Sequence, residues 1–270
     1  MTIGPVTTRL LQAGPNQASE AVVFIHGNPG SAGDWVDLIG QVGEHRRAVA
    51  FDLPDFGQTV AGPDFGHTVV EYSDFIGETL NALGISRVHL VLHDFGGPIG
   101  LDWTVGNLGM VASITLITTG VFLDYKWHRT ARAWQTPVVG EVLQGIITRP
   151  IFRRVTSNAE PRGLPRWYLD QMYDNYDRRT RAAVLDLYRD SKKISRDHEL
   201  LVAPLAAADL PALVIWGAGD PYLPVELAER QKEAFPSADV HVLPESGHWP
   251  FIDDPPAVSR LLLEFLQRAE

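Results

Sequence analysis

Three side chains far apart in the sequence have the types that hydrolytic chemistry needs. They are Asp94 in His93-Asp94-Phe95-Gly96-Gly97, Asp220 in Gly217-Ala218-Gly219-Asp220-Pro221, and His248 in Gly247-His248-Trp249-Pro250-Phe251. An ionised carboxylate is a usable nucleophile at neutral pH without prior deprotonation, and an imidazole oriented by a second carboxylate can take a proton from water. Such a pair also needs N–H donors for the oxygen that becomes negative. His26-Gly27-Asn28-Pro29 follows an early apolar run, so the backbone amides of Asn28 and Phe95 are the expected donors. Taken singly, Asp94 also suits a helix N-cap, Asp220 a turn before Pro221, and His248 a plain loop. Four such features at four strand ends are a less expected coincidence than one.

The elements that must position them are legible as patterns. Val88-His89-Leu90-Val91-Leu92 is an aliphatic, β-branched run of the kind a buried strand prefers. It stops at Asp94 and passes through two glycines into a helix-compatible segment. The carboxylate then stands at a helix N-terminus, where amide N–H groups and the helix dipole favour negative charge. The glycines let helix and strand approach closely.

Earlier strands are expected at 7–11, 21–26 and 47–52, with a turn at Gly14-Pro15-Asn16 and a Pro/Gly-rich loop over 53–67. Helices are expected from Asp34 to about Glu44, from a Thr68 cap to Gly84, and after Asp94 to about Asn107, before a strand at 111–117. Strands alternating with helices mean a mostly parallel sheet covered on both faces. The alternation stops at Gly120. Residues 121–208 are rich in Arg, Tyr and Trp, helical in period and without a convincing strand; strands at 211–217 and 240–243, a helix over 224–235 and a final helix over 256–268 then resume it. The expected α/β organisation is a core of 1–120 and 209–270 with a helical cap, 121–208, laid over the strands' C-terminal ends, where open α/β sheets bind ligands.

Composition narrows the function. A chain of 270 residues with 45% hydrophobic content can bury a substantial core. A net charge of −10 argues against nucleic acid, whose phosphates need a basic footprint. The absence of cysteine removes disulfides, Cys–zinc sites and thiol catalysis together. The N-terminal residues lack the basic region and apolar run of a signal peptide, and no stretch is long enough to span a bilayer. The expectation is a cytoplasmic protein without membrane, metal or cofactor, whose partners are a small apolar molecule and water. Oligomeric state is not indicated, and the run Asp177-Arg178-Arg179-Thr180-Arg181 reads as a solvated helix face.

On the four motifs quoted above, with Trp35 downstream of the first, the chain resembles the α/β-hydrolase superfamily over nearly its full length, in particular the branch of epoxide hydrolases and haloalkane dehalogenases. The resemblance implies the chain order nucleophile, acid, histidine: Asp94 forms an ester with an sp3 carbon of the substrate, and His248, oriented by Asp220, activates the water that hydrolyses it. It also puts His26, Trp35, Trp167, Tyr168, Tyr173 and Trp249 around the substrate.

The two chemistries of that branch differ in the leaving group. Dehalogenases typically use a Trp directly after the nucleophile and an Asn or a second Trp; here Asn28 is present, but position 95 is Phe, which cannot donate. A lost hydrogen bond to a charged group costs about 1.5–3 kcal/mol unless a cap residue such as Trp127, Trp134 or Trp167 substitutes. Epoxide opening instead needs an acid, usually one or two cap tyrosines, and 121–208 offers Tyr125, Tyr168, Tyr173, Tyr176 and Tyr188. Leu92, where many such turns carry a small residue, leans towards the dehalogenases. The expected activity is opening of a small or medium apolar epoxide. Haloalkane dehalogenation is the alternative, and a non-catalytic ligand-binding protein of the same fold is the reading from another class.

Overall fold

The computed structural model describes residues 1–158 and 160–269. A short hairpin, β1 (Thr2–Ile3) and β2 (Val6–Thr7), precedes seven strands: β3 (Leu10–Ala13), β4 (Glu20–Ile25), β5 (Ala48–Phe51), β6 (Arg87–His93), β7 (Val111–Ile117), β8 (Ala212–Gly217) and β9 (Asp239–Leu243). They form one sheet in the order β3-β5-β4-β6-β7-β8-β9, with only β3 antiparallel. The α/β-hydrolase fold expected from the motifs is what the chain adopts.

Val22, Val23, Phe24, Val49, Ala50, Leu90, Val91, Leu92, Ile114, Leu116, Val214 and Ile215 are wholly buried. Near-continuous apolar runs of this kind belong to strands covered on both faces. The helices supplying that cover are α1 (Val36–Gly43), α2 (Val69–Ala82), α3 (Gly96–Gly106), α9 (Ile194–Ala208), α10 (Glu226–Arg230) and α12 (Pro255–Arg268). The chain steps from β4 to β5 through α1, then returns across β4 to β6 through α2. Because parallel crossovers are right-handed, this reversal puts α1 and α2 on opposite faces. Accordingly α12 packs on α1, while α3 packs between α2 and α9. The reversal also opens a crevice beyond the C-terminal ends of β4 and β6, where Asn28 and Asp94 lie.

Between β7 and β8 the described residues form helices joined by loops, with no strand among them. They comprise α4 (Arg129–Trp134), α5 (Val139–Ile146), α6 (Arg149–Asn158), α7 (Arg166–Asp174), α8 (Arg178–Asp190) and α9, with α11 (Pro250–Asp253) following β9. The last of the inserted helices, α9, lies against α3, so the carboxyl end of the segment expected as cap sits in the core's helical layer.

Three local expectations are corrected. The strand expected at 7–11 is broken at Thr8, whose hydroxyl donates to the Asp52 carbonyl at 2.7 Å; Val6–Thr7 joins the hairpin and the sheet strand is Leu10–Ala13. The helix expected at Asp34 begins as a 3-10 turn, Ala32–Trp35, because Ser31 and Asp34 cap each other's backbone in a capping box. The helix expected over 224–235 is α-helical only to Arg230. The next residue, Gln231, turns inward, accepting from Val121 N–H at 2.7 Å and donating to the Val121 carbonyl at 3.0 Å. Thr68 caps α2 as expected, with Glu71 completing the box. No helix among the described residues is long and apolar enough to cross a membrane.

Candidate active site

Asp94 follows directly on β6, with φ at 49°, in the left-handed region. Such a residue costs about 1–3 kcal/mol. Burial of Val91 or Leu92 in the strand ending there contributes about 1.5–3 kcal/mol each, enough to offset it. The turn is tight on every side. A Cβ built on Gly27 would overlap the Asp94 side chain, and one on Gly96 would overlap the Ile25 carbonyl. Glycine at these two positions is therefore a demand of space.

The carboxylate faces two partners. Its Oδ1 accepts from the Asn28 backbone N–H at 2.6 Å, and its Oδ2 lies 3.4 Å from His248 Nε2. His248 Nδ1 donates to Asp220 Oδ2 at 2.7 Å. Asp220 is held in turn by its Oδ1, which accepts from the backbone N–H groups of Tyr222 (2.7 Å) and Leu223 (2.9 Å). The His248 carbonyl accepts from His93 Nε2 and Thr118 Oγ1, both at 2.8 Å, which fixes the loop beneath the ring. Asp94, His248 and Asp220 thus form a connected triad at the ends of β6, β9 and β8. Phe95 stands at the head of α3; its amide makes no hydrogen bond to Asp94 among the described residues.

Electrostatics follow from burial and charge together. Burial alone would push the Asp94 carboxyl up, but His248, His93 and the Asn28 amide hold it below its ordinary value. Burial alone would push His248 down; the carboxylates of Asp220 and Asp94 outweigh it and raise the imidazole well above the usual histidine range. His93 is pushed down to about 3 by burial, with His248 beside it, and so donates as a neutral ring.

A cavity of about 130 Å³ opens over the triad. Asn28, Asp94, Phe95, Tyr222, His248 and Trp249 form its floor, and Tyr125, Trp127, His128, Trp134, Tyr176 and Tyr188 are prominent among the inserted residues that wall it. Among the described residues no lysine or arginine lines it. Trp127 stacks on Phe95 with ring centroids 6.1 Å apart, and its indole N–H is buried without a partner. Tyr188 lines the same cavity as Asn28 and Asp94, and burial and the Asp94 charge push its phenol well up. The His128 Nδ1 accepts from Ala131 N–H at 3.3 Å to cap α4, which leaves the proton on Nε2; burial pushes this ring down to about 4, so it is neutral.

The triad, Asn28, Phe95 and Trp249 are brought together as expected from the sequence. The other expected pocket residues are not. His26 is buried beneath the turn, where Nε2 accepts from Leu53 N–H at 3.0 Å. Trp35 packs between Phe24, His93 and Phe251. Trp167, Tyr168 and Tyr173 all belong to α7, which does not line the cavity: Trp167 is 60% exposed, Tyr168 is buried beside Asp34, and the Tyr173 hydroxyl reaches the Ile147 carbonyl at 3.4 Å. His128 and Tyr222 line the cavity but went unmarked in the sequence. Tyr222 had a signal, since it lies two residues after Asp220 and its N–H holds that carboxylate.

Residues 22–261 match the profile of the Alpha/beta hydrolase family. The chain belongs to the alpha/beta hydrolase family. Among curated relatives of this alpha/beta hydrolase is the 2-hydroxy-6-oxo-6-(2'-aminophenyl)hexa-2,4-dienoic acid hydrolase of Metapseudomonas resinovorans, 26% identical over 98% of this chain and 89% of that protein. Another is the dihydrolipoyllysine-residue acetyltransferase component of the acetoin cleaving system of Pseudomonas putida, 26% identical over 92% of this chain; the alignment spans only 63% of that longer protein. Among solved structures, the haloalkane dehalogenase DbeA of Bradyrhizobium elkani superposes with a TM-score of 0.86 and 21% identity, covering all of this chain and 97% of that one. At that identity the likeness speaks for the fold.

Proposed function

We propose that this alpha/beta hydrolase forms a covalent alkyl ester on Asp94, hydrolyses it with water activated by His248, and takes small or medium apolar epoxides as substrates. The core of 1–120 and 209–270 would supply the triad, and the 121–208 cap the acid. In the first step an Asp94 oxygen attacks an epoxide carbon, the ring C–O bond breaks, and the oxygen released takes the proton of Tyr188. In the second, His248 takes a proton from water, the hydroxide adds to the ester carbonyl, and the Asn28 N–H stabilises the resulting oxyanion. Collapse expels the diol oxygen, which takes the proton from His248, and the Asp94 acid proton then returns to His248, restoring the imidazolium–carboxylate pair.

Charge orders these steps. While Asp94 is ionised it helps hold His248 protonated; esterification removes that charge, the imidazolium passes its proton to the Tyr188 phenolate, and the neutral imidazole is then free to act as the base. The observation that carries the epoxide reading is the placement of Tyr188, a phenol that lines the same cavity as Asp94, Asn28 and His248. A second reading, displacement of halide from a haloalkane, is favoured by one specific observation. The Trp127 indole N–H is buried without a partner against Phe95, the residue after the nucleophile.

The test is to trap the ester. His248→Gln is incubated with a panel of terminal epoxides and 1-bromoalkanes, and the peptide containing Asp94 is weighed. A gain of the whole epoxide supports the first reading, and a gain of the alkyl group with loss of bromide supports the second. No adduct with any member, or an adduct on another residue, overturns the mechanism.

A further inference from the structure

Three consecutive residues of the segment between α6 and α7 touch the two loops that carry Asp220 and His248. The Glu160 Oε2 accepts from the His248 backbone N–H at 2.9 Å. Pro161 lies against Gly219 and Gly247, where a Cβ on either glycine would meet its ring. A Cβ on Gly247 would also overlap the Glu160 carboxylate. Arg162 pairs with Glu245 at the start of the histidine loop. Glu160 is 6% exposed, and its second oxygen is buried without a partner, an arrangement that costs free energy and calls for a compensating role.

We infer that Glu160, Pro161 and Arg162 form a clamp through which the inserted segment positions His248. Glu160 touches no reacting atom and is a positioning residue. From the acid loop it faces Asp220 and Tyr222; from the histidine loop His248, with the Arg162–Glu245 pair alongside; from α11 Asp253, whose Oδ2 holds the Gly247 N–H at 2.7 Å; and from α7 Tyr168. Burial, opposed by His248 and reinforced by Asp253, pushes the Glu160 carboxyl up to about 7. Above that pH the ionised group accepts strongly from the His248 N–H; below it the neutral acid accepts weakly and the clamp loosens. The inserted segment would therefore set both the place of the base and a pH limit on its order.

The clamp bears on rate only if His248 is the base of the proposed reaction, so its test reads His248 directly and needs no substrate. The protein is labelled with ¹⁵N-histidine, and the His248 backbone and ring signals are assigned by their loss in His248→Gln. In the unsubstituted protein the His248 amide signal is expected to move with a midpoint near pH 7. In Glu160→Gln, whose amide oxygen still accepts, the amide is expected to stay hydrogen-bonded and to lose that titration. In Glu160→Ala the amide is expected to move upfield, and the deshielded Nδ1 proton shared with Asp220 to broaden or vanish. A midpoint near 7 that survives Glu160→Gln, or an amide and ring proton unchanged by Glu160→Ala, overturns the clamp. Should Glu160→Ala not fold, the Glu160→Gln titration decides alone. A trapped Asp94 ester with no such titration would remove the clamp and leave the proposed reaction standing.

Discussion

The floor and the walls of the cavity are built by different means. On the floor, Asp94, His248 and Asp220 sit on turns at the ends of β6, β9 and β8, linked through the His248 ring at 2.7 Å to Asp220 and 3.4 Å to Asp94, and the His248 carbonyl is held from below by His93 and Thr118. On the walls, the inserted residues Tyr125, Trp127 and Tyr188 meet edge-on or tilted, with ring centroids 5.2 to 5.3 Å apart, and the buried Trp127 N–H has no protein partner. A satisfied network fixes one geometry. An apolar wall with a few donors leaves room for a ligand atom to complete it. On the proposed mechanism the difference is a division of labour: the sheet would commit the molecule to one kind of bond-making, and the insertion would select what leaves.

That division can be broken at three strengths. The largest effect is expected on the floor. Asp220→Asn keeps an oxygen for the Tyr222 and Leu223 amides but removes the charge that orients and protonates His248. Turnover of epoxides and bromoalkanes should fall together, by about a thousand- to ten-thousand-fold, in ester hydrolysis more than in ester formation. Steady-state and single-turnover rates on both classes check this; a loss confined to one class would mean that the floor also selects.

On the walls the effects should be smaller and should cross. Tyr188→Phe removes the proposed acid and is expected to lower epoxide turnover about a hundredfold while sparing bromoalkanes. Trp127→Phe removes a neutral donor, and bromide release should fall by roughly 10- to 150-fold, the equivalent of about 1.5–3 kcal/mol. Equal losses on both classes in both variants would show packing to be the walls' whole contribution.

The same contrast explains what was legible in the sequence. The triad on the floor was readable because each of its members ends an apolar run at a turn: Val88 to Leu92 before Asp94, the 211–217 strand before Asp220, the 240–243 strand before His248. Local pattern and global position coincide there. The walls were not readable in that way, since an aromatic at helical spacing carries no mark of which face it presents. Trp167, Tyr168 and Tyr173 looked as suitable as Tyr125, Trp127 and Tyr188, yet α7 packs on the far side of α6 and contributes no lining residue, while α4, α6, α8 and the segment before α4 do. Glu160 was invisible for a related reason: its partner is a backbone amide 88 residues away, and backbone donors leave no trace in residue type. Gly219 and Gly247 carried the hint, because each needs space only when something lies against it.

The smallest effect is expected at the seam between floor and walls. Asp34 caps Ser31 at 3.0 Å, lies 3.4 Å from Gln171 of α7 and neighbours Tyr168. Burial pushes its carboxyl up to about 7 against the pull of the Ser31 amide, with Asp52 adding to the rise. Between the ordinary carboxylate value and about 7 the native state holds a proton that the unfolded chain has lost, so stability from this group falls as pH rises through that window. Asp34→Asn keeps an acceptor for Ser31 and has no charge to bury. Its melting temperature relative to the unsubstituted protein should therefore climb between pH 5 and pH 8, by about 2–4 °C for about 1 kcal/mol. A difference that stays flat or shrinks over that range would mean that Asp34 ionises without penalty, and that the seam is wet enough for α7 to part from the core.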